Sequence, residues 1–293
     1  MLFSGCGTAL VTPFTLDGSV DYSAYCTLLE RQVAQGADFL VPLATTGETP
    51  TLSLAERREL LRLAREHAGG RKLLVGCGGN SLQGTLDNIA SLDAALADGY
   101  LVVVPYYNKP TQEGMYQYFK AVAASTDKGI IIYNVPGRTG ANILPDTVIR
   151  LARDCRNIIG IKEASGSFSQ GSEIIRRAPE GFAVLSGDDD LTFALMAAGG
   201  HGVISVASNV VPAEVAAMCR YAAAGDFLRA RALHHRLSPL FRILFVESNP
   251  IPVKAALALL GLCTDRMRLP LVSASAATKE KLGEVLAAIP NAG

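Results

Sequence analysis

The sequence predicts a (β/α)8 barrel, a TIM barrel, with a C-terminal helical extension. Short, continuously apolar segments recur eight times, and a stretch with helical spacing separates each from the next. Unbroken apolar runs suit parallel strands covered on both faces, whereas a strand wet on one side would alternate. The strand starts lie 20 to 34 residues apart, the length of one βα unit. Eight such units close a barrel through right-handed crossovers.

In order, the candidate strands are CGTALVTP from near residue 6, DFLVPLA near 38, KLLVGCG near 72 and YLVVVPY near 100. GIIIYNVP near 129, IIGIKEA near 158, FAVLSGD near 182 and GVISVAS near 202 complete the set. Between the first two strands, Tyr22, Cys26, Leu29 and Val33 share one helical stripe. Met115, Tyr118, Phe119 and Val122 do the same between the fourth and fifth. Ser53–Glu56 and Ser167–Gln170 have capping-box spacing, and Pro145 and Pro212 suit first helical positions. Glycine precedes the next strand in QGADFL, AGGRKLL, DGYLVV, DKGIII and GGHGVI, the pattern of a helix stop. After about residue 225 the strand signal ends. Helical stripes follow in DFLRARALHHRLSPLFRILF, PVKAALALLGL and SAATKEKLGEVLAAI. The expected organisation is a catalytic barrel over 1–224 and an α-helical segment over 225–293. A doubly wound sheet is the alternative, weakened because no G-x-G-x-x-G follows an early strand.

Composition narrows the function classes. The 293 residues are 49% hydrophobic and 18% charged, which excludes a disordered chain. The 27 basic and 27 acidic side chains cancel, so no nucleic-acid footprint or polybasic membrane patch is expected. No apolar run approaches the ~18–20 residues of a membrane span. The N-terminal MLFSGCGTALVTPF does not read as a signal peptide, and a cytoplasmic protein is expected. The six cysteines are widely spaced and read as buried free thiols. No H-E-x-x-H and no Cys/His pair at zinc spacing occurs, so a metal-dependent mechanism has no support.

In such a barrel, reactive groups project from the carboxyl ends of the strands. Those ends read Thr45-Thr46-Gly47-Glu48, Pro105-Tyr106-Tyr107-Asn108 and Tyr133-Asn134, with Lys162 inside the sixth strand and Gly187-Asp188 and Ile204-Ser205 following the seventh and eighth. Lys162 is the sharpest signal. It is one of only eight lysines and follows Ile158-Ile159-Gly160-Ile161. Burial there penalises an ammonium and favours the neutral amine, the form that attacks a ketone to make a Schiff base. The alternative is a structural ion pair with Glu163 or Asp188. Tyr106, Tyr107 and Tyr133 are either amphipathic core residues or proton carriers in a site with no histidine. Thr45 and Thr46 either close a turn or hold a small carboxylate. Arg138 is either a surface charge or a bidentate carboxylate clamp. No glycine-rich phosphate loop follows the last two strands.

The segments GTALVTPF, ATTGETPTL, VVPYYNKPTQEGMYQYF, YNVPGRTG, IIGIKEASG, LSGDD, GGHGVISV and SNPIPVK together carry a resemblance. In that order, and almost end to end, the chain closely resembles the dihydrodipicolinate synthase family of pyruvate-dependent class I aldolases, within the N-acetylneuraminate lyase superfamily. Arg138 in YNVPGRTG separates the synthases from sialate-lyase-like relatives, which would take a different aldehyde. The resemblance implies a lyase that condenses pyruvate with L-aspartate 4-semialdehyde on the way to diaminopimelate and lysine. It implies that Lys162 forms the Schiff base and that Tyr133 moves protons beside it. Thr45 and Tyr107 would complete a proton relay, with Tyr107 reaching in from a neighbouring subunit of a homotetramer built from tight dimers. Thr46 would bind the pyruvate carboxylate, Ile204 would contact pyruvate through its backbone, and Arg138 would receive the carboxylate of the aldehyde. Asn80 and Tyr106 match positions of the family's L-lysine effector cleft. Leu54 and Gly84 stand where histidine and glutamate are usual, so weak or absent lysine feedback is expected.

Overall fold

Eight parallel strands close into a barrel in chain order: β1 (Gly5–Ala9), β2 (Phe39–Val41), β3 (Lys72–Gly76), β4 (Gly99–Val103), β5 (Gly129–Asn134), β6 (Ile158–Glu163), β7 (Ala183–Ser186) and β8 (Gly202–Ser205). The computed structural model describes residues 1–289; the end of the expected helical segment, 290–293, lies outside the described residues. Among the described residues, twelve α-helices accompany the strands. They are α1 (Tyr22–Ala34), α2 (Leu54–His67), α3 (Leu82–Ser91), α4 (Gln112–Ala124), α5 (Pro136–Thr139) and α6 (Pro145–Asp154). The series continues with α7 (Phe168–Arg177), α8 (Thr192–Ala197), α9 (Pro212–Ala223), α10 (Phe227–Ile243), α11 (Ile251–Leu259) and α12 (Ala276–Ala287). The last three coincide with the helical stripes read after residue 225.

Every strand begins within one residue of its expected start. β2 is the shortest because Pro42, lacking an N–H, follows it and Leu43 turns to φ +57°. Ser53 and Glu56 form the full capping box of α2. The second expected box forms only by half. Ser167 Oγ accepts from the Gln170 N–H, but the Gln170 amide turns to Glu163 Oε2 (3.1 Å) and Asn142 Oδ1 (3.1 Å). A buried carboxylate on β6 is the stronger acceptor. The glycine stops also divide. Gly36, Gly69, Gly70 and Gly199 take positive φ, whereas Gly99 and Gly129 open their strands. There the requirement is space: a Cβ on Gly129 would lie 2.4 Å from Ile159 Cδ1.

Alternation along the strands sorts the core into layers. Phe39, Leu74, Leu101, Ile131, Tyr133, Leu185 and Ile204 fill the barrel, and Phe3 plugs its amino end against Phe39. Ile130, Ile132, Ile161 and Val184 face outward and pack against the helices. A further cluster joins Cys6, Val11 and Val203 of the barrel to Phe241, Val253 and Leu282 of α10, α11 and α12. All six cysteines are free thiols. No helix among the described residues is long and apolar enough to cross a membrane.

Candidate active site

Register brings the candidate residues together. Tyr133 on β5 pairs directly with Lys162 on β6, and Lys162 with Leu185 on β7. The outward alternation of Ile161 and Glu163 turns the Lys162 stem into the barrel mouth. Its residue is only 5% exposed, and Nζ sits 4.3 Å from the centroid of the Tyr133 ring. Among the described residues no carboxylate oxygen lies within 4.0 Å of Nζ. The ion-pair alternative therefore does not form. Glu163 faces the helices, where Asn134 Nδ2 (3.0 Å), the Ser165 N–H (2.8 Å) and Gln170 satisfy it.

A cavity of about 210 Å³ opens beside Lys162, bounded by Thr45, Thr46, Tyr133, Arg138 and Asp188. That volume suits a molecule smaller than the drug-sized ligands of ordinary pockets. A larger cavity of about 550 Å³ adjoins it, sharing Thr45, Tyr133 and Arg138 and extending to Tyr106 and Cys77. Gly187 keeps the inner space open, since a Cβ there would come within 3.1 Å of Lys162 Cε and 2.4 Å of Ala164 Cβ. Burial pushes the Asp188 carboxyl up, against the opposing influence of the Lys162 charge.

Thr45 and Thr46 sit on a single 3-10 turn, Thr45–Gly47, after β2. The turn is held at both ends. Leu43 and Glu48 take positive φ (+57° and +52°), and the buried Glu48 carboxylate receives Lys254 Nζ at 2.8 Å and the Arg268 N–H at 3.2 Å. Tyr107 (φ +75°) and Lys109 (φ +46°), after β4, are the other non-glycine residues with positive φ among those described. All four lie in the loops at this mouth, and backbone strain of that kind collects at functional sites.

The hydroxyls differ in a way sequence could not show. Tyr116 and Tyr118 are tied to Asp154 (2.6 Å) and Thr85 (2.7 Å). Tyr133 has a buried ring and, among the described residues, no hydrogen-bond partner for its hydroxyl, which leaves that group to the cavity. The side chain of Arg138, on α5, makes one protein hydrogen bond, from Nη2 to the Asn249 carbonyl at 3.2 Å, and no ion pair among the described residues. The residue borders both cavities.

Two expected residues line neither cavity of their own chain. Tyr107 is 86% exposed and lines neither cavity of its own chain. The Ile204 side chain is fully buried in the layer beneath the site, and Val206, two residues on, borders the inner cavity. Sequence reasoning missed Asn249, which borders both cavities, and the Glu48–Lys254 pair beneath the turn. SNPIPVK stands out as a segment, but nothing local in it points to the turn its polar residues reach.

Fold and site together define a barrel lyase of the Schiff-base type: one unpaired buried lysine, an aromatic hydroxyl beside it and an unpaired guanidinium at the rim. The model of the "Dihydrodipicolinate synthetase family" matches residues 2–289. The chain belongs to that family. It is 47% identical to the 4-hydroxy-tetrahydrodipicolinate synthase of Thermosipho melanesiensis, over 97% of this chain and 98% of the relative. It is 48% identical to the synthase of Aquifex aeolicus, over 97% of each. Among solved structures, the dihydrodipicolinate synthase of Thermotoga maritima superposes with a TM-score of 0.95 at 46% identity, covering 98% of both chains. A monomeric variant of a dihydrodipicolinate synthase gives the same TM-score and identity over 98% of this chain and 97% of its own.

Proposed function

We propose that this chain is a 4-hydroxy-tetrahydrodipicolinate synthase, condensing pyruvate with L-aspartate 4-semialdehyde through an imine on Lys162 in lysine and diaminopimelate biosynthesis. The observation that carries the reading is the setting of Lys162, buried at the barrel mouth with the Tyr133 ring centroid 4.3 Å from Nζ and, among the described residues, no carboxylate to hold it. Nζ attacks the keto carbon of pyruvate, and water leaves as the iminium forms. The iminium withdraws electrons from the adjacent methyl, which loses a proton to give an enamine. That carbon attacks the aldehyde, and the amino group of the semialdehyde then displaces Nζ as the ring closes. Overall one water is released.

Tyr133 is the proton donor and acceptor for these transfers, relayed by Thr45 and by Tyr107 of a neighbouring subunit. The Thr46 hydroxyl and the turn N–H groups bind the pyruvate carboxylate, the backbone at Ile204 contacts pyruvate, and Arg138 clamps the carboxylate of the aldehyde. The chemistry as written requires no metal or organic cofactor. A homotetramer of tight dimers accounts for the outward Tyr107 ring, the free thiols suit a cytoplasmic enzyme, and the described part of residues 225–293 acts as a helical segment buttressing the barrel at 1–224. The test is borohydride reduction in the presence of pyruvate alone. A covalent adduct on the peptide bearing Lys162 is expected, and an intact, folded protein that traps none would overturn the reading.

A further inference from the structure

We infer that Asn249 is a positioning residue for this site, holding the Thr46 hydroxyl so that its proton points into the inner cavity. The inference rests on the proposed binding of pyruvate's carboxylate by Thr46. Asn249 lies between α10 and α11, in the SNPIPVK segment, whose polar side chains grip the Thr45–Gly47 turn from two sides. Lys254 reaches Glu48 at the far end of the turn, while Asn249 Nδ2 donates to Thr46 Oγ1 at 3.0 Å. A hydroxyl has a single proton. Having accepted from Asn249, Thr46 is free to donate its own, and no protein acceptor takes it among the described residues. Thr46 borders the inner cavity beside Lys162, so the donor faces the space where a keto acid's carboxylate would lie.

The surroundings of the amide fix which end meets Thr46. Asn249 is buried, and its Oδ1 has no hydrogen-bond partner. Turning the amide over would let Oδ1 accept from Thr46, at the expense of the hydroxyl proton the site needs. It would also set the NH2 where Oδ1 now lies without a partner, exchanging one unsatisfied acceptor for unsatisfied donors, so the orientation that keeps the proton on Thr46 is the one the surroundings favour. The backbone carbonyl of the same residue accepts from Arg138 Nη2 at 3.2 Å. One residue therefore connects both carboxylate-binding groups.

The test uses Asn249→Asp, Asn249→Ala and Thr46→Val, singly and with the last two combined, read by steady-state kinetics and by borohydride trapping of pyruvate. Asn249→Asp is nearly isosteric but can only accept, so it draws the Thr46 proton away from the cavity. Its KM for pyruvate should rise about ten- to a hundredfold, with kcat changing much less. Asn249→Ala should add nothing to the pyruvate KM once Thr46→Val has removed the hydroxyl, since coupled groups are not additive. That comparison decides the matter even if Asn249→Asp fails to fold. A wild-type pyruvate KM in folded Asn249→Asp, or multiplying effects of Asn249→Ala and Thr46→Val, would overturn the inference alone. A wild type that traps no pyruvate would overturn the proposed function and this inference with it.

Discussion

Two buried lysines of this chain have opposite surroundings. Lys254 is fully buried, its ammonium held by Glu48 at 2.8 Å and the Thr12 carbonyl at 3.0 Å. Burial pushes its pKa down while the Glu48 carboxylate opposes the shift. Lys162 has comparable burial and an aromatic face, but no carboxylate. Only the second is free to become a nucleophile. Substituting its neighbour Tyr133→Phe should lower kcat by roughly a hundredfold or more, the usual worth of a positioned proton carrier, while reduction still traps pyruvate. Arg138→Ala should damage use of L-aspartate 4-semialdehyde far more than imine formation with pyruvate, as separate trapping and turnover assays would show. Equal loss of both would contradict the clamp. Lys162 was legible because a lysine inside an isoleucine-rich strand is conspicuous. Lys254 and Asn249 were not, because their partners Glu48 and Thr46 lie more than 200 positions away and no local pattern links them.

Between elements, the Thr45–Gly47 turn depends on the C-terminal helices. Lys254→Met would leave Glu48 buried and unpaired, and should destabilise the protein by about 3–5 kcal/mol. Adding Glu48→Gln should recover part of that loss, measurable by thermal unfolding. Arg268 also reaches Glu56 at the start of α2, with contacts of 2.6 and 2.9 Å. This hydrogen bond, aided by Ser53, holds the Glu56 carboxyl at about 2. Because the folded value is depressed, the stabilisation is complete above the ordinary carboxylate range and vanishes as pH falls toward 2. Urea unfolding should therefore show Glu56→Gln less stable than wild type by about 1 kcal/mol near neutrality, with the gap closing in acid. Strand starts were readable to within a residue because burial on both faces demands unbroken apolar runs. The half-formed box at Ser167 was not, since the tertiary demand of Glu163 redirects Gln170.

For the whole molecule, the outward Tyr107 is the main feature a single chain leaves incomplete. Its ring projects to solvent with φ at +75°, and the barrel pattern in the sequence carries no information about a partner. If Tyr107 serves the neighbouring subunit's site, Lys162→Ala and Tyr107→Phe, each poorly active alone, should recover activity when co-assembled. A hybrid then contains one site with both groups intact. Failure of co-assembled hybrids to recover activity would place Tyr107 outside the relay. Leu54 is exposed and Gly84 offers no carboxylate, so a lysine titration should give at most weak inhibition; a sub-millimolar effect would contradict this. The central claim is the reaction itself, and its most direct test is turnover of purified protein with pyruvate and L-aspartate 4-semialdehyde beside a Lys162→Ala control. The account predicts turnover by the wild type and its collapse in the control. A folded wild type with no turnover, or a control that retains it, would contradict the account.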